Sequence, residues 1–470
     1  LRLVIRAVQP VSFNDETQRC VSTPRPLPLK TPKSFVLATL LVLAGCHDDT
    51  TSVPPTPAVN LSPLPALAPS EAVVYEVFVA DFSQAGTFAG MLPRLDSIKS
   101  VGGNVLWLMP VFPTHSSPYA VDNYEGINPE FGNLAAFDQL VAAAHQRGLR
   151  VMLDWVANHT SMYHPWLQSH PDWYTRDASG QVAHPLPTWT DVADLDYAQP
   201  ALRQEMIRSM KTWVTGHAID GFRCDAADLV PFDFWQQALT ALKQANPNLL
   251  LLAEGSRTDH HAAGFQLSFG WDFYNATLNV FAHQASVGTL AAAHRQEMQG
   301  LPAGNFRLRF LTNHDEVQGG TPATRLGGEA AARAAYVATL AFGATPLLYN
   351  GQEAGDPAQL AAPSRTPIRW GLNATASSFY RGLFRAYQQL PALRAGSVED
   401  LSPNADVLLV RRQLAGQQVA VLVNVRNAPI PVLMPAVLQG VAWIDALTGL
   451  PVPATTTLVL PAYGYAIWQH

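Results

Sequence analysis

Cysteine is scarce in this chain: three among 470 residues, Cys20, Cys46 and Cys224. Their spacing fits neither a disulfide framework nor a metal site, so neither is expected to hold the fold together. Charge is scarce as well. Asp, Glu, Lys and Arg make up 14% of the chain against 48% hydrophobic residues, which predicts a mostly globular protein rather than a disordered one. The net charge is −6 and no Lys/Arg cluster is present, which excludes nucleic acid as a partner. Long apolar runs are missing too. Phe35 to Gly45 is roughly a dozen residues, too short to span a bilayer comfortably. Aromatics, by contrast, are plentiful: eleven Trp, thirteen Tyr and twenty Phe leave rings to spare for stacking on a ligand.

The short apolar run carries its own signal. In "KTPKSFVLATLLVLAGC", Lys30 and Lys33 flank the run, and Leu43-Ala44-Gly45-Cys46 resembles a bacterial lipobox. That resemblance implies cleavage before Cys46 and lipidation of its thiol, which would anchor the protein to a membrane without a spanning helix. Residues 1–29 precede this signal and begin with Leu, for which a misassigned start is the simplest expectation. The following "HDDT" is similar to the acidic tag of some surface lipoproteins, so an outer-membrane or cell-surface location is expected, with the periplasmic face as the alternative. A Pro-rich, uncharged stretch then reads as a semi-rigid spacer. The expected plan is an upstream segment and signal peptide over 1–45, a linker over 46–71, a catalytic domain over 72–395 with an insertion at about 160–200, and a C-terminal domain over 396–470.

From Val73 on, eight near-continuous apolar runs alternate with amphipathic stretches. The runs are 73–79, 104–111, 150–156, 220–226, 249–255, 263–269, 307–315 and 345–353, the sixth being the weakest. Runs of this kind fit strands covered on both faces. Eight of them in a β-then-α rhythm predict an α/β fold, a closed (β/α)8 TIM barrel. About sixty residues separate the third and fourth runs, too many for a simple crossover, so a small inserted domain is expected there. After about Ala395 short strands and turns predict a C-terminal antiparallel β-sandwich.

Within the fourth run, "DGFRCDAADL", two opposite charges stand two apart, Arg223 and Asp225. Strand alternation puts them on one face and Cys224 on the other. In such a barrel the active site lies at the carboxyl ends of the strands. Asp154, Asn158 and His159 follow the third strand, Glu254 ends the fifth, and Asn313, His314 and Asp315 end the seventh. Arg223 is expected to hold Asp225 ionised, and the apolar setting "LLLLAEG" is expected to keep Glu254 protonated. A low and a high carboxyl facing each other form the pattern of retaining glycoside hydrolysis.

The same residues carry a family resemblance. "DWVANHT" (154–160), "GFRCDAAD" (221–228), "LLAEG" (251–255) and "FLTNHDE" (310–316) resemble the four motifs of glycoside hydrolase family 13, the α-amylase family. "VADLD" (192–196) and "GQEAG" (351–355) resemble two further motifs. The resemblance covers about residues 72–470. It implies Asp225 as nucleophile, Glu254 as general acid/base and Asp315 as transition-state stabiliser. It further implies Arg223 as the nucleophile's orienter, His159 and His314 as sugar ligands, and Asp154 as a structural acid of the site. Tyr119, in "SPYAVDNYEGINPEFG", would stack on the sugar, and Asn313 is placed with the substrate-binding residues. It also implies a structural Ca2+ held by Asn158, Asp194 and the backbone carbonyl of Leu229; the alternative is that Asn158 and Asp194 bond each other or cap the loop. No organic cofactor is expected. Two departures stand out: Asp228-Leu229 where many amylases have Lys-His, and Asn123 where many have Asp. The implied substrate is an α-1,4-linked glucan or maltooligosaccharide. The rival readings are a transglycosylase or α-1,6-glucosidase of the same family and a noncatalytic surface glycan-binding lipoprotein. A metal-dependent barrel hydrolase would want a His-x-His pair on the first strand, and "VVYEVFVADF" has none.

Overall fold

The structure is a computed structural model that describes residues 61–470. Cys46, the signal segment and the first part of the linker lie outside the described residues. Eight parallel strands close into a barrel in sequence order: β1 Val74–Val77, β2 Val105–Leu108, β3 Arg150–Val156, β4 Gly221–Asp225, β5 Leu250–Ala253, β6 Leu267–Phe269, β7 Phe306–Arg309 and β8 Thr345–Tyr349.

Strand alternation sorts the side chains into two cores. Val74, Val105, Trp107, Met152, Leu250, Leu252, Leu267, Phe269, Leu308 and Leu347 fill the barrel interior. Their sequence neighbours, such as Tyr75, Leu106, Val151, Phe222, Cys224 and Leu251, pack outward against helical residues such as Phe137, Trp213 and Trp235. Burial on both faces is why the strands read as unbroken apolar runs. It also places Glu76, Asp154, Arg223 and Asp225 on the inward face, while Cys224 points into the helical layer.

Three expectations are corrected. Asp154 is the fifth residue of β3 rather than a residue after it. The seventh strand stops at Arg309, and farther along Asn313 Oδ1 accepts from the backbone N–H of Asp315 and Glu316 and bends the chain into a turn. The sixth strand keeps only the last three residues of its run, since Asp259–Ala263 is a short helix whose end Gly264 closes at φ 121°.

The long excursion after β3 pairs His159–Ser161 with Val192–Asp194 in antiparallel register, His159 opposite Asp194, before the crossover helix Pro200–Gly216. Beyond the barrel lie β9 Ser397–Asp400, β10 Val407–Leu414, β11 Gln417–Asn424, β12 Ile430–Leu433, β13 Ile444–Asp445, β14 Thr457–Leu460 and β15 Tyr465–Gln469. Five of these form an antiparallel sheet and β12 pairs with β14. Val407, Leu409, Ala420 and Leu422 meet Val432 and Leu460 across the gap between the two sheets, so the domain is a sandwich. The alternate residues Leu408, Val410, Val419 and Val421 join the main core. The β10–β11 turn is Ala415-Gly416, both at positive φ, as a two-residue hairpin of this twist requires.

Gly221 is the tightest point of the barrel wall: a Cβ there would lie 2.0 Å from the Leu250 carbonyl oxygen, across the β4–β5 pairing. Gly221→Ala is expected to cost about 1–3 kcal/mol or more of stability. Gly216→Ala, at a helix end with nothing within 4 Å, should change stability by less than about 1 kcal/mol. Urea titration of both variants checks the contrast.

Candidate active site

Arg223 is fully buried on β4, and its guanidinium is the hub of the site. Its Nη1 donates to Asp154 Oδ1 at 2.7 Å and to Asp225 Oδ1 at 2.9 Å. Its Nη2 stands 2.6 Å from Glu254 Oε1 as an ion pair. Its carbon lies 5.1 Å from the Trp107 ring centre, 5.6 Å from Tyr119 and 5.8 Å from Phe269, so aromatic rings cover what the acids leave open. Because Asp225 and Glu254 contact one guanidinium, two carboxyls from adjacent strands face the same small space.

The backbone reinforces that approach. Ala226, the residue after Asp225, is held at φ 43° and ψ 39°, a left-handed conformation that costs energy for any residue but glycine. In return its N–H points at Glu254 Oε2, 2.8 Å away, and the next N–H, of Ala227, bonds the Glu254 carbonyl at 3.0 Å. The ends of β4 and β5 are thereby latched to each other.

Asp154 lies beneath, fully buried, taking N–H from Arg223, the Trp107 indole at 3.1 Å and O–H from Tyr119 at 3.0 Å. It is a floor of the site and does not reach its surface. Tyr119 stacks on His314, with centroids 5.2 Å apart and planes 20° from parallel. His314 contacts Glu76 through Nδ1 at 2.5 Å, and Tyr119 Oη and Asp315 Oδ2 through Nε2 at 2.8 and 3.3 Å. Asp315 is the most open acid of the group, its side chain about half exposed. His159 is buried edge-on to Trp189 and hydrogen-bonds the Tyr119 backbone.

Asn313 departs from its expected role. It is fully buried, and its Oδ1 is spent on the turn that presents His314 and Asp315, so it shapes the loop and does not offer a surface to sugar. Two residues were missed. Glu76, inside β1, is the one charge in "VVYEVFV" and carries the same signal that drew attention to Arg223, a charge in an apolar strand. Trp107 could not be told from an ordinary core tryptophan, because its value lies in a cross-strand contact.

The acids titrate high. Burial pushes Glu254 up to about 7; Arg223 opposes this, and Asp225 and Asp315 add to it. Burial also raises Asp225 to about 6 against the pull of Arg223, with Asp154 and Asp315 adding to the rise. The expectation that Arg223 alone keeps Asp225 low is therefore corrected: one guanidinium is divided among three carboxyls in a dry site. Both carboxyls are raised, and for the same first cause, burial. His159 is pushed down to about 4 by burial and is neutral at pH 7.

The oxygens expected to hold calcium do not bond each other. Asn158 Nδ2 lies 3.3 Å from His159 Nδ1, and Asp194 accepts from Thr175 Oγ1. No hydrogen bond among the described residues engages Asn158 Oδ1 or Asp194 Oδ1, and burial raises the Asp194 carboxyl. Two unspent oxygens and a strained carboxylate suit a hard cation. No group of three or more His, Cys, Asp and Glu among the described residues is arranged as a metal site.

A comparison with protein families settles the relationship: the α-amylase catalytic-domain family model matches residues 9–187 and 187–366. The chain belongs to the α-amylase family. Alpha-amylase 3 of Dictyoglomus thermophilum is 28% identical over 64% of this chain and 67% of its own length. Alpha-amylase MalA of Haloarcula japonica is 28% identical over 79% of this chain, which spans 58% of that relative. The crystal structure of an alpha-amylase from Lactobacillus plantarum superposes with a TM-score of 0.76 at 28% identity, over 85% of this chain and 99% of that one. Other family members similar to this chain are named cyclomaltodextrinase, neopullulanase 2 and α-1,4-glucan:maltose-1-phosphate maltosyltransferase.

Removing the hub tests the arrangement. Arg223→Met leaves three buried acids without their cation, a loss of about 3–5 kcal/mol at neutral pH. Acids whose folded pKa exceeds the unfolded value bind protons more readily in the native state. The stability these acids contribute is therefore greatest at low pH and falls as pH rises from about 4 through the folded values of about 6 to 7. The variant should thus be more destabilised at pH 7.5 than at pH 5, read from denaturation midpoints at both.

Proposed function

We propose that the protein is a retaining glycoside hydrolase that cleaves α-1,4-glucosidic bonds in starch-like glucans or maltooligosaccharides. One observation carries the reading: Asp225 and Glu254, from neighbouring strand ends, meet at the one Arg223 guanidinium, so two carboxyls face the same small space. Glu254 gives its proton to the glycosidic oxygen as Asp225 attacks the anomeric carbon. The bond to the leaving sugar breaks and a covalent glycosyl-enzyme forms. Glu254, now a carboxylate, takes a proton from water, whose oxygen displaces Asp225 and restores the starting configuration. Asp315, open to solvent beside His314, grips sugar hydroxyls, and His159 and Tyr119 line the same subsite.

The family members also include names of cyclodextrin-cleaving, pullulan-cleaving and transferring proteins, so transfer and α-1,6 cleavage are the competing outcomes. Chromatography of products from maltoheptaose and isomaltose separates them. Short maltooligosaccharides from maltoheptaose alone support α-1,4 hydrolysis; longer products mean transfer, and glucose from isomaltose means α-1,6 cleavage. A calcium ion on Asn158, Asp194 and the Leu229 carbonyl would brace the inserted hairpin against the barrel, and a lipid on Cys46 would hold the enzyme at a membrane surface. A rise in melting temperature with added Ca2+, reversed by chelation, checks the first.

Asp225→Asn should lower kcat by roughly 10⁴-fold or more with the fold retained. Full activity in that variant removes Asp225 from the mechanism; a wild-type protein that binds glucan and turns nothing over is a binding protein instead. The pH profile follows from the two acids. Activity should rise as Asp225 loses its proton near pH 6 and fall as Glu254 loses its own near pH 7, giving a narrow bell in kcat/KM.

A further inference from the structure

The contacts around His314 limit where its protons can sit. Every described partner of Asp154 is a donor: Arg223 to Oδ1, and the Trp107 indole and Tyr119 hydroxyl to Oδ2. A carboxylate accepts all three without a proton of its own. The single Tyr119 hydroxyl proton is thus committed to Asp154. What the hydroxyl turns to His314, 2.8 Å away, is a lone pair, and Nε2 must carry a hydrogen to meet it. At the other edge of the ring Nδ1 faces Glu76 Oε1 at 2.5 Å, so one hydrogen lies between them, on the nitrogen or on the carboxyl oxygen. With that hydrogen on Nδ1 both ring nitrogens donate and the ring is an imidazolium facing a carboxylate; with it on Oε1 the pair is neutral.

We infer that Glu76 is a positioning residue whose carboxylate keeps His314 doubly protonated, so that the ring always presents an N–H, and a positive charge, beside Tyr119 and Asp315. The inference rests on the proposed hydrolytic site and names a control within it. The charge matters because the site is rich in acid. Glu76 on β1, Asp154 on β3, Asp225 and Arg223 on β4, and Asp315 on the ring's own loop all act on this cluster, with Tyr119 stacked on one face and Trp107 edge-on at 5.9 Å. Burial alone would drive the proton off; Asp315 and Glu76 outweigh it and hold the ring up at about 9, against a smaller opposing push from Arg223, while burial also raises the Glu76 carboxyl with His314 and Arg223 opposing. The retained charge in turn favours the ionised form of Asp225. Glu76 does not touch the reacting atoms. It lies wholly inside the barrel, with Oε2 unpartnered, and acts through the histidine.

Glu76→Gln keeps the shape and removes the charge. His314 should then lose its second proton below pH 7, so the ratio of variant to wild-type kcat/KM on maltoheptaose should fall at least tenfold between pH 5.5 and 7.5. In a His314→Gln background the same change at Glu76 should give a ratio that does not vary with pH. A pH-independent ratio in the single variant would mean that Glu76 only fills space, and would overturn the inference. The ring nitrogens of His314 in the wild-type protein, followed by 15N NMR, give a readout that needs no turnover and no variant that folds. Two protonated nitrogens at pH 7.5 support the inference, and one protonated nitrogen there refutes it. If the protein hydrolyses no glucan, that spectrum still decides the role of Glu76, so failure of the proposed function and failure of this inference are told apart.

Discussion

A guanidinium sealed inside a barrel is the constraint from which the rest of this site follows. Arg223 is fully buried from bulk solvent, and an isolated buried charge would cost far more than a domain's net stability. It persists because β3, β4 and β5 bring Asp154, Asp225 and Glu254 to it from three sides, while Trp107, Tyr119 and Phe269 present ring faces to it. The same arrangement serves chemistry. Three acids compete for one cation, so none is fully satisfied, and each remains close enough to its protonation point to move a proton near neutral pH. A second arginine would hold the acids too firmly, and none at all would leave them protonated.

The floor under that cation is as important as the acids above it. Val74, Val105, Met152, Leu250, Leu267, Leu308 and Leu347 fill the interior below the charged layer and keep water from entering from beneath. Low polarity there strengthens each interaction in the layer above and raises the carboxyls' affinity for protons. The strained Ala226 belongs to the same economy of space. Its left-handed backbone bends the chain at the end of β4 so that an N–H, rather than a side chain, meets Glu254. A regular continuation of the strand would carry that N–H toward a neighbour in the sheet and leave the carboxyl with Arg223 alone.

Much of this was legible in the sequence because charge in an apolar strand is conspicuous. Arg223, Asp225 and Glu254 announce themselves within a few residues of their context, and alternation assigns their face. The eight runs and their order were legible for the same local reason. Contacts made across the barrel were not. Glu76 and His314 are 238 residues apart, and no pattern within β1 shows which histidine its carboxylate will meet. Asn313 misled because a polar residue at a strand's end suggests the site whether it faces the ligand or caps the turn; backbone geometry alone decides between them. The sixth strand shrank because Asp259–Ala263 satisfies its own hydrogen bonds as a helix, a choice that a mixed run of His, Ala and Gly leaves open.

The departure at Asp228 is absorbed without contact to Asp225, Glu254 or Asp315. Its carboxylate does not turn toward Glu254. It accepts from the N–H of Ser256 at 3.2 Å and Arg257 at 3.4 Å, and meets the His260 ring at 2.6 Å. Burial would raise this carboxyl, yet the bond to His260 carries it below the usual range, as expected of an anion held by donors on several sides. Arg257 closes the other flank by donating to the Asp228 carbonyl while pairing with Asp259. Gly255 is what admits the carboxylate, since a Cβ there would stand 2.2 Å from Asp228 Oδ1. The position therefore stitches the loop after β4 to the loop after β5 directly behind Glu254. The neighbouring Leu229, 41% exposed, closes the short helical turn that follows β4.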